Sequence, residues 1–140
     1  MSGNEKYEVP AGYYYTKDHE WLKEKPDGNV LVGITDYAAK MLNDIVYVTL
    51  PQEGEKFSKK DVFGQVESVK TVSDVYMPVS GTVLKANQSL TKEPEVVASS
   101  PYEKGWILEV KPADYATESK ELLDSKSYRE YVQNLEKESH

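Results

Sequence analysis

The chain has no cysteine and only two histidines, His19 and His140, among its 140 residues. Absent thiols exclude disulfides and thiolate metal sites, and suit a reducing compartment. His19-Glu20 lacks the second histidine that a helix-borne zinc motif needs, so no metal site is expected. The glycines Gly28, Gly33, Gly54 and Gly64 stand apart, and none has the spacing of a phosphate-cradling loop. Serines are present, but no histidine is placed to serve them and no nucleophile-elbow pattern occurs, which leaves a hydrolase without a basis. With 24 acidic residues some carboxylates fall close by chance, so their pairing alone carries no signal. Lys and Arg number 17, and the resulting net charge of −7 argues against a nucleic-acid binder, which needs clustered cations for the phosphate backbone. No apolar run approaches the length of a membrane span. The N-terminus carries Glu5 and Glu8 and no apolar stretch, unlike a signal peptide or an Arg-rich transit peptide, so a cytoplasmic location is expected. By itself the chain shows no active site, and its chemistry is expected to come from something attached or bound.

What is present fits one small domain with a single core. Residues 1–12, with Gly3, Pro10 and Gly12, read as a polar leader, flexible or lightly docked, and the domain is expected over 13–140. Short extended runs recur at Tyr13 to Thr16, Glu20 to Lys23, Val30 to Ile34, Val46 to Leu50, Val62 to Val69, Val72 to Met77, Gly81 to Ala86 and Trp106 to Lys111. Pro26-Asp27-Gly28-Asn29, Pro51-Gln52-Glu53-Gly54, Pro94 and Pro112 punctuate them with turn chemistry. Asp36 to Leu42 breaks the pattern as one short helix, capped by Thr35 or Asp36. Beyond Thr117 there is no glycine or proline, and a helical tail is expected over about 117–138, divided near Asp124-Ser125-Lys126. Ser127 and Glu130 form a capping-box pattern there, and Tyr128, Tyr131, Val132 and Leu135 make an apolar stripe expected to pack on the β body.

The segment from Gly64 to Gly81 is the most informative. Val66 to Val69 and Val72 to Val79 are rich in β-branched residues with polar residues interleaved, and they meet at Lys70. A primary amine at the tip of such a hairpin keeps its charge in water and its stem extended. That placement suits a lysine which another enzyme must find and modify, although exposed lysine is also the ordinary means of solubility.

Val66-Glu67-Ser68-Val69-Lys70-Thr71, with Ser73-Asp74, Pro78 and Gly81 beyond it, resembles the lipoylation segment of the glycine cleavage system H-protein family. Four more segments follow the family's order: His19-Glu20-Trp21, Val32-Gly33-Ile34-Thr35-Asp36-Tyr37-Ala38, Val46-Tyr47-Val48-Thr49-Leu50-Pro51, and Ser100-Pro101-Tyr102-Glu103-Lys104-Gly105-Trp106. The resemblance implies a mainly β fold, the barrel-sandwich hybrid of lipoyl and biotinyl carriers, with antiparallel sheets, a short internal helix and C-terminal helices. It implies a non-catalytic carrier with lipoic acid in amide linkage to Lys70, flanked by Glu67 and Asp74. The partners implied are a pyridoxal-phosphate glycine decarboxylase, a tetrahydrofolate-dependent aminomethyltransferase, a dihydrolipoamide dehydrogenase and the lipoylating enzymes. No nucleic acid or membrane is expected among them. The family's loaded arm is expected in a cleft near the His-Glu motif, which by motif assigns Glu20 to the cargo amine, Ile34 to an apolar wall and His19 to their neighbourhood.

Three positions depart from the family pattern. Asn43 stands where glycine is usual after the helix, a tolerable change because asparagine also accepts a left-handed cap. Ala98 replaces a usual asparagine, and Met41 stands where some members have a cleft-lining histidine. A biotinyl carrier shares the fold but flanks its lysine with methionines, unlike Val69 and Thr71. An H-like lipoyl carrier or lipoyl donor serving another lipoate-dependent or redox system remains the alternative role.

Overall fold

A computed structural model gives the fold and describes residues 6–138. Among the described residues nine strands form in chain order: β1 (Tyr14–Tyr15), β2 (Glu20–Glu24), β3 (Val30–Ile34), β4 (Ile45–Thr49), β5 (Lys56–Phe57), β6 (Val62–Ser68), β7 (Val72–Tyr76), β8 (Gly81–Ala86) and β9 (Leu108–Pro112). They make a six-stranded sheet in the order β1-β2-β3-β9-β8-β5 and a three-stranded sheet in the order β4-β6-β7, antiparallel throughout. The sheets pack face to face and do not close into a barrel. Helix α1 (Asp36–Leu42) joins the two sheets, α2 (Val96–Ser99) and α3 (Tyr115–Glu118) are single turns, and α4 (Ser125–Glu138) closes the fold.

Strand β2 shows how the layers are built. Successive side chains of a strand point to opposite faces, and here both faces are buried. Leu22 joins Val32, Val48, Val66, Val75 and Val110 in the core between the sheets. Trp21 points the other way, into an aromatic layer with Tyr15, Tyr102 and Tyr128 that α4 covers. The indole lies over Gly33, its cross-strand partner, where a Cβ would come within 2.7 Å of the ring. Trp21 Nε1 donates to Pro101 O at 2.9 Å, so the buried donor is satisfied. Glu20 shares the inner face with Leu22, a placement that decides its chemistry.

Helix α1 spans the expected residues, with Thr35 as its cap: Thr35 Oγ1 accepts from Ala38 N. Asn43 follows at φ 56 and ψ 160, a positive φ but not the left-handed helical cap expected of it, and Asp44 follows at φ 32. Three segments escaped the sequence reading. Strand β5 is only two residues long, and α2 lies just beyond Pro94 as a single turn. The tail begins earlier than 117, with α3 at Tyr115, and breaks at Leu122 and Leu123, of which Leu123 pairs across to Tyr15. The cap of α4 is a correction, since Asp124 and not Ser127 fills that role. Asp124 Oδ1 accepts from Ser127 N at 2.8 Å, which places Ser127 within the first turn. The carboxylate three residues earlier outcompetes the hydroxyl for the free N–H groups. The expected stripe packs as anticipated, with Tyr128 and Val132 buried and Tyr131 and Leu135 half-buried.

The leader is tied down over its described part. Val9 is buried, Tyr15 OH donates to Pro10 O, Tyr102 OH donates to Glu8 O, and Glu8 N donates to Asp36 Oδ2. Residues 1–5 lie outside the described chain.

Candidate functional site

The turn between β6 and β7 consists of Ser68, Val69, Lys70 and Thr71, and its backbone is held from both sides. Ser68 is buried at the end of β6; its N–H donates to Thr71 O at 2.8 Å, and its hydroxyl accepts from Thr71 N at 3.2 Å. From outside the hairpin, Val69 N donates to Asp44 O at 3.1 Å. The positive-φ pair Asn43-Asp44 after α1 thus braces the lysine hairpin. Lys70 is exposed at the tip, and among the described residues no carboxylate forms an ion pair with its ammonium. Val69 and Val72 beside it are 75% and 51% exposed, an unusual surface for valine that leaves the tip apolar around one charge.

Glu67 and Asp74 lie on the outer face of the three-stranded sheet. Glu67 pairs across to Tyr47 on β4 and to Val72 on β7, and Asp74 lies opposite Gln65, whose Nε2 donates to it at 2.9 Å. Both carboxylates are exposed, so they accompany the lysine without enclosing it.

Glu20 occupies a different environment. The residue is 2% exposed, with Oε1 accepting from Thr16 Oγ1 at 2.6 Å and Oε2 accepting from Tyr76 N at 3.2 Å. Tyr76 ends the strand that follows Lys70, so this bond ties the His-Glu turn to the lysine hairpin. Burial pushes the carboxyl up to about 7, outweighing the two hydrogen bonds and the Lys60 charge that pull it down. Glu20 borders a cavity of about 280 Å³ whose walls include Asp18, Lys59, Lys60, Met77 and Leu122. A salt bridge from Lys59 to Glu121 joins the loop side of this cavity to the turn before α4.

The other sequence-named residues stand elsewhere. Ile34 pairs with Glu20 across β2 and β3, but its side chain is packed in the core between the sheets and does not line the cavity. His19 turns into the aromatic layer, where its Nδ1 shares a hydrogen bond of 2.8 Å with Tyr128 OH; burial lowers its pKa. Met41 is exposed and Ala98 half-buried, both away from the cavity. Sequence reasoning missed Thr16, Lys59 and Lys60, because a threonine at the end of an extended run and a lysine pair beside Asp61 read as ordinary solvent-facing residues.

The family model described as "Glycine cleavage H-protein" matches residues 13–135. The chain belongs to the glycine cleavage H-protein family. A relative from Pyrococcus horikoshii, named "Probable glycine cleavage system H protein", is 52% identical over 92% of this chain and 96% of its own. The glycine cleavage system H protein of Halothermothrix orenii is 47% identical over 91% of this chain and 98% of its own. Among solved structures, a glycine cleavage system H protein from Mycobacterium marinum superposes with a TM-score of 0.79 at 39% identity, covering 90% of this chain and 98% of that one. In this member of the H-protein family, the hairpin presents Lys70 beside the buried Ser68, and the cavity is bordered by the buried Glu20.

Proposed function

We propose that this chain is the lipoyl-bearing carrier of a glycine cleavage system, with lipoic acid joined in amide linkage to Lys70. The observation that carries this reading is the hairpin tip: a lysine exposed, unpaired and mounted on a backbone fixed by Ser68 and Asp44. Amide formation replaces the ammonium with a neutral group, and because Lys70 makes no ion pair, the fold loses nothing by it. When attached, the lipoyl group supplies a cyclic disulfide whose sulfurs can accept and release cargo and electrons. The chain's own residues present that group, and the exposed valines beside it leave room for the active sites that must reach it.

In this reading the carrier takes an aminomethyl group from a pyridoxal-phosphate glycine decarboxylase to a tetrahydrofolate-dependent aminomethyltransferase, and then presents its dithiol to dihydrolipoamide dehydrogenase. The Glu20 cavity holds the cargo between encounters. A cationic amine entering it would draw the Glu20 carboxyl toward its ionised form, since an opposite charge favours the carboxylate. Thr16 and Tyr76 already direct donors at both oxygens, which keeps the carboxylate oriented while the amine binds.

Intact mass and peptide mapping of protein from cells with a working lipoylation pathway should find one lipoyl group, on Lys70. An unmodified lysine, or biotin in its place, overturns the proposal. Lys70→Arg should change unfolding free energy by no more than about 0.5 kcal/mol, the usual range for a surface position, while abolishing carrier activity. Glu20→Gln should be lipoylated and reoxidised normally, because neither step involves the amine. Its loaded form should release ammonia several-fold faster than wild type in the absence of the folate enzyme, and equal rates would remove Glu20 from the cavity's function.

A further inference from the structure

We propose that the Tyr128 hydroxyl, on the C-terminal helix α4, is the positioning group of the Glu20 cavity: it holds His19 in a left-handed conformation and so fixes where the next residue points its carboxylate. His19 has φ 72, a backbone state that disfavours any residue with a Cβ and persists only where the surroundings impose it. Two backbone bonds impose part of it, His19 N to Thr16 O at 3.1 Å and Thr35 N to His19 O at 3.0 Å. The ring supplies the rest. It lies against Tyr37 with 4.7 Å between ring centroids, and its Nδ1 meets Tyr128 OH at 2.8 Å. A glycine would reach this φ without strain but would make neither ring contact.

Tyr128 is fully buried, and its hydroxyl also lies 2.8 Å from Thr35 Oγ1. Thr35 Oγ1 in turn accepts from Ala38 N at the start of α1. A single run of donors satisfies the set, from Ala38 N–H to Thr35, from Thr35 O–H to Tyr128, and from Tyr128 O–H to the imidazole. One phenol therefore fixes the turn that carries Glu20 and the start of the helix that ends at the brace of the Lys70 hairpin. The charged groups nearest Glu20 are Asp18 from the same turn and Lys60 from the β5–β6 connection, with Lys17, Lys59 and Glu121 further round the cavity. The Tyr128 hydroxyl is hydrogen-bonded to His19 and Thr35 and to none of these charged groups. Glu20 also acts on Tyr128 directly through space, and His19→Phe, which leaves the hydroxyl in place, separates the positional effect from that direct one.

The inference rests on the carrier reading only for its functional consequence, and the test separates the two. Tyr128→Phe is compared with Tyr102→Phe, which also deletes a buried hydroxyl with two partners, Asp36 N and Glu8 O, neither of them in the turn that carries His19 and Glu20. In unloaded protein, carboxyl 13C NMR should show the Glu20 titration midpoint displaced by about half a unit or more in Tyr128→Phe and unmoved in Tyr102→Phe. Release of ammonia from the loaded form should accelerate several-fold in the first variant only. An unmoved midpoint in Tyr128→Phe, or an equal shift in both variants, overturns the proposal. A moved midpoint with unchanged ammonia release in both Tyr128→Phe and Glu20→Gln upholds the positioning and removes the cargo from the cavity. Should Tyr128→Phe fail to fold, His19→Phe removes the same hydrogen bond from the other side and carries the same expectations.

Discussion

A glutamate at the start of a strand looks like a solvated residue, and Glu20 is instead buried between the two sheets at the border of the cavity. Its carboxyl is pushed from 4.5 up to about 7 by burial, so the folded chain binds this proton more tightly than the unfolded chain does. Stability from this group is therefore complete below about 4.5 and falls as the pH rises toward 7, by on the order of 3 kcal/mol in total. His19 works in the opposite sense. Burial lowers its pKa from 6.5, so its contribution is present above 6.5 and is lost as the pH falls below it. The two partly cancel in the wild type, and the difference between wild type and Glu20→Gln isolates the carboxyl. Urea unfolding at pH 5 and pH 8 should show wild type losing a few kcal/mol relative to Glu20→Gln across that interval. Parallel profiles would mean that Glu20 titrates as an ordinary surface glutamate.

Elements whose ends are set by local chemistry were legible in the sequence; those set by distant packing were not. The span of α1 follows from Thr35 and the apolar Ala39 and Leu42, and the strands of the lysine hairpin from alternating valines. Strand β5 has no such pattern because a two-residue strand exists only through its partner β8. At α4 two capping groups competed, and the hydroxyl of Ser127 was the wrong choice. With Asp124 as the cap, Asp124→Ala should cost about 1 kcal/mol of stability, while Ser127→Ala should cost only a few tenths. Denaturant midpoints of the two variants check this, and the reverse ranking would restore Ser127 as the cap. The candidate site divides the same way. The exposed placement of Lys70 was legible because the strands of its hairpin are neighbours in sequence, although the brace from Asp44 was not. The burial of Glu20, the exclusion of Ile34 from the cavity and the tie between His19 and Tyr128 depend on strands and a helix far away in sequence.

For the molecule as a whole, the N-terminal segment acts as a strap across α1, α4 and the loop that carries Tyr102. Arg129 Nη2 donates to Val9 O at 3.1 Å, so the strap reaches the last helix too. Deleting residues 1–10 removes these bonds and uncovers the aromatic layer, and should cost roughly 2–4 kcal/mol, with lipoylation of Lys70 unaffected. A calorimetric midpoint equal to that of the full chain would show that the strap only rests on the surface. The place of β9 between β3 and β8 has a consequence of another kind, for the chain during synthesis. The six-stranded sheet cannot be completed until residue 112 has left the ribosome, because its central partner β9 is the last of the described strands to be made. Such late, non-local pairing is slow to search for. The β6–β7 hairpin needs only neighbours in sequence, so the lysine turn can form on a nascent chain whose larger sheet is still open along β3, a sticky edge waiting for its partner.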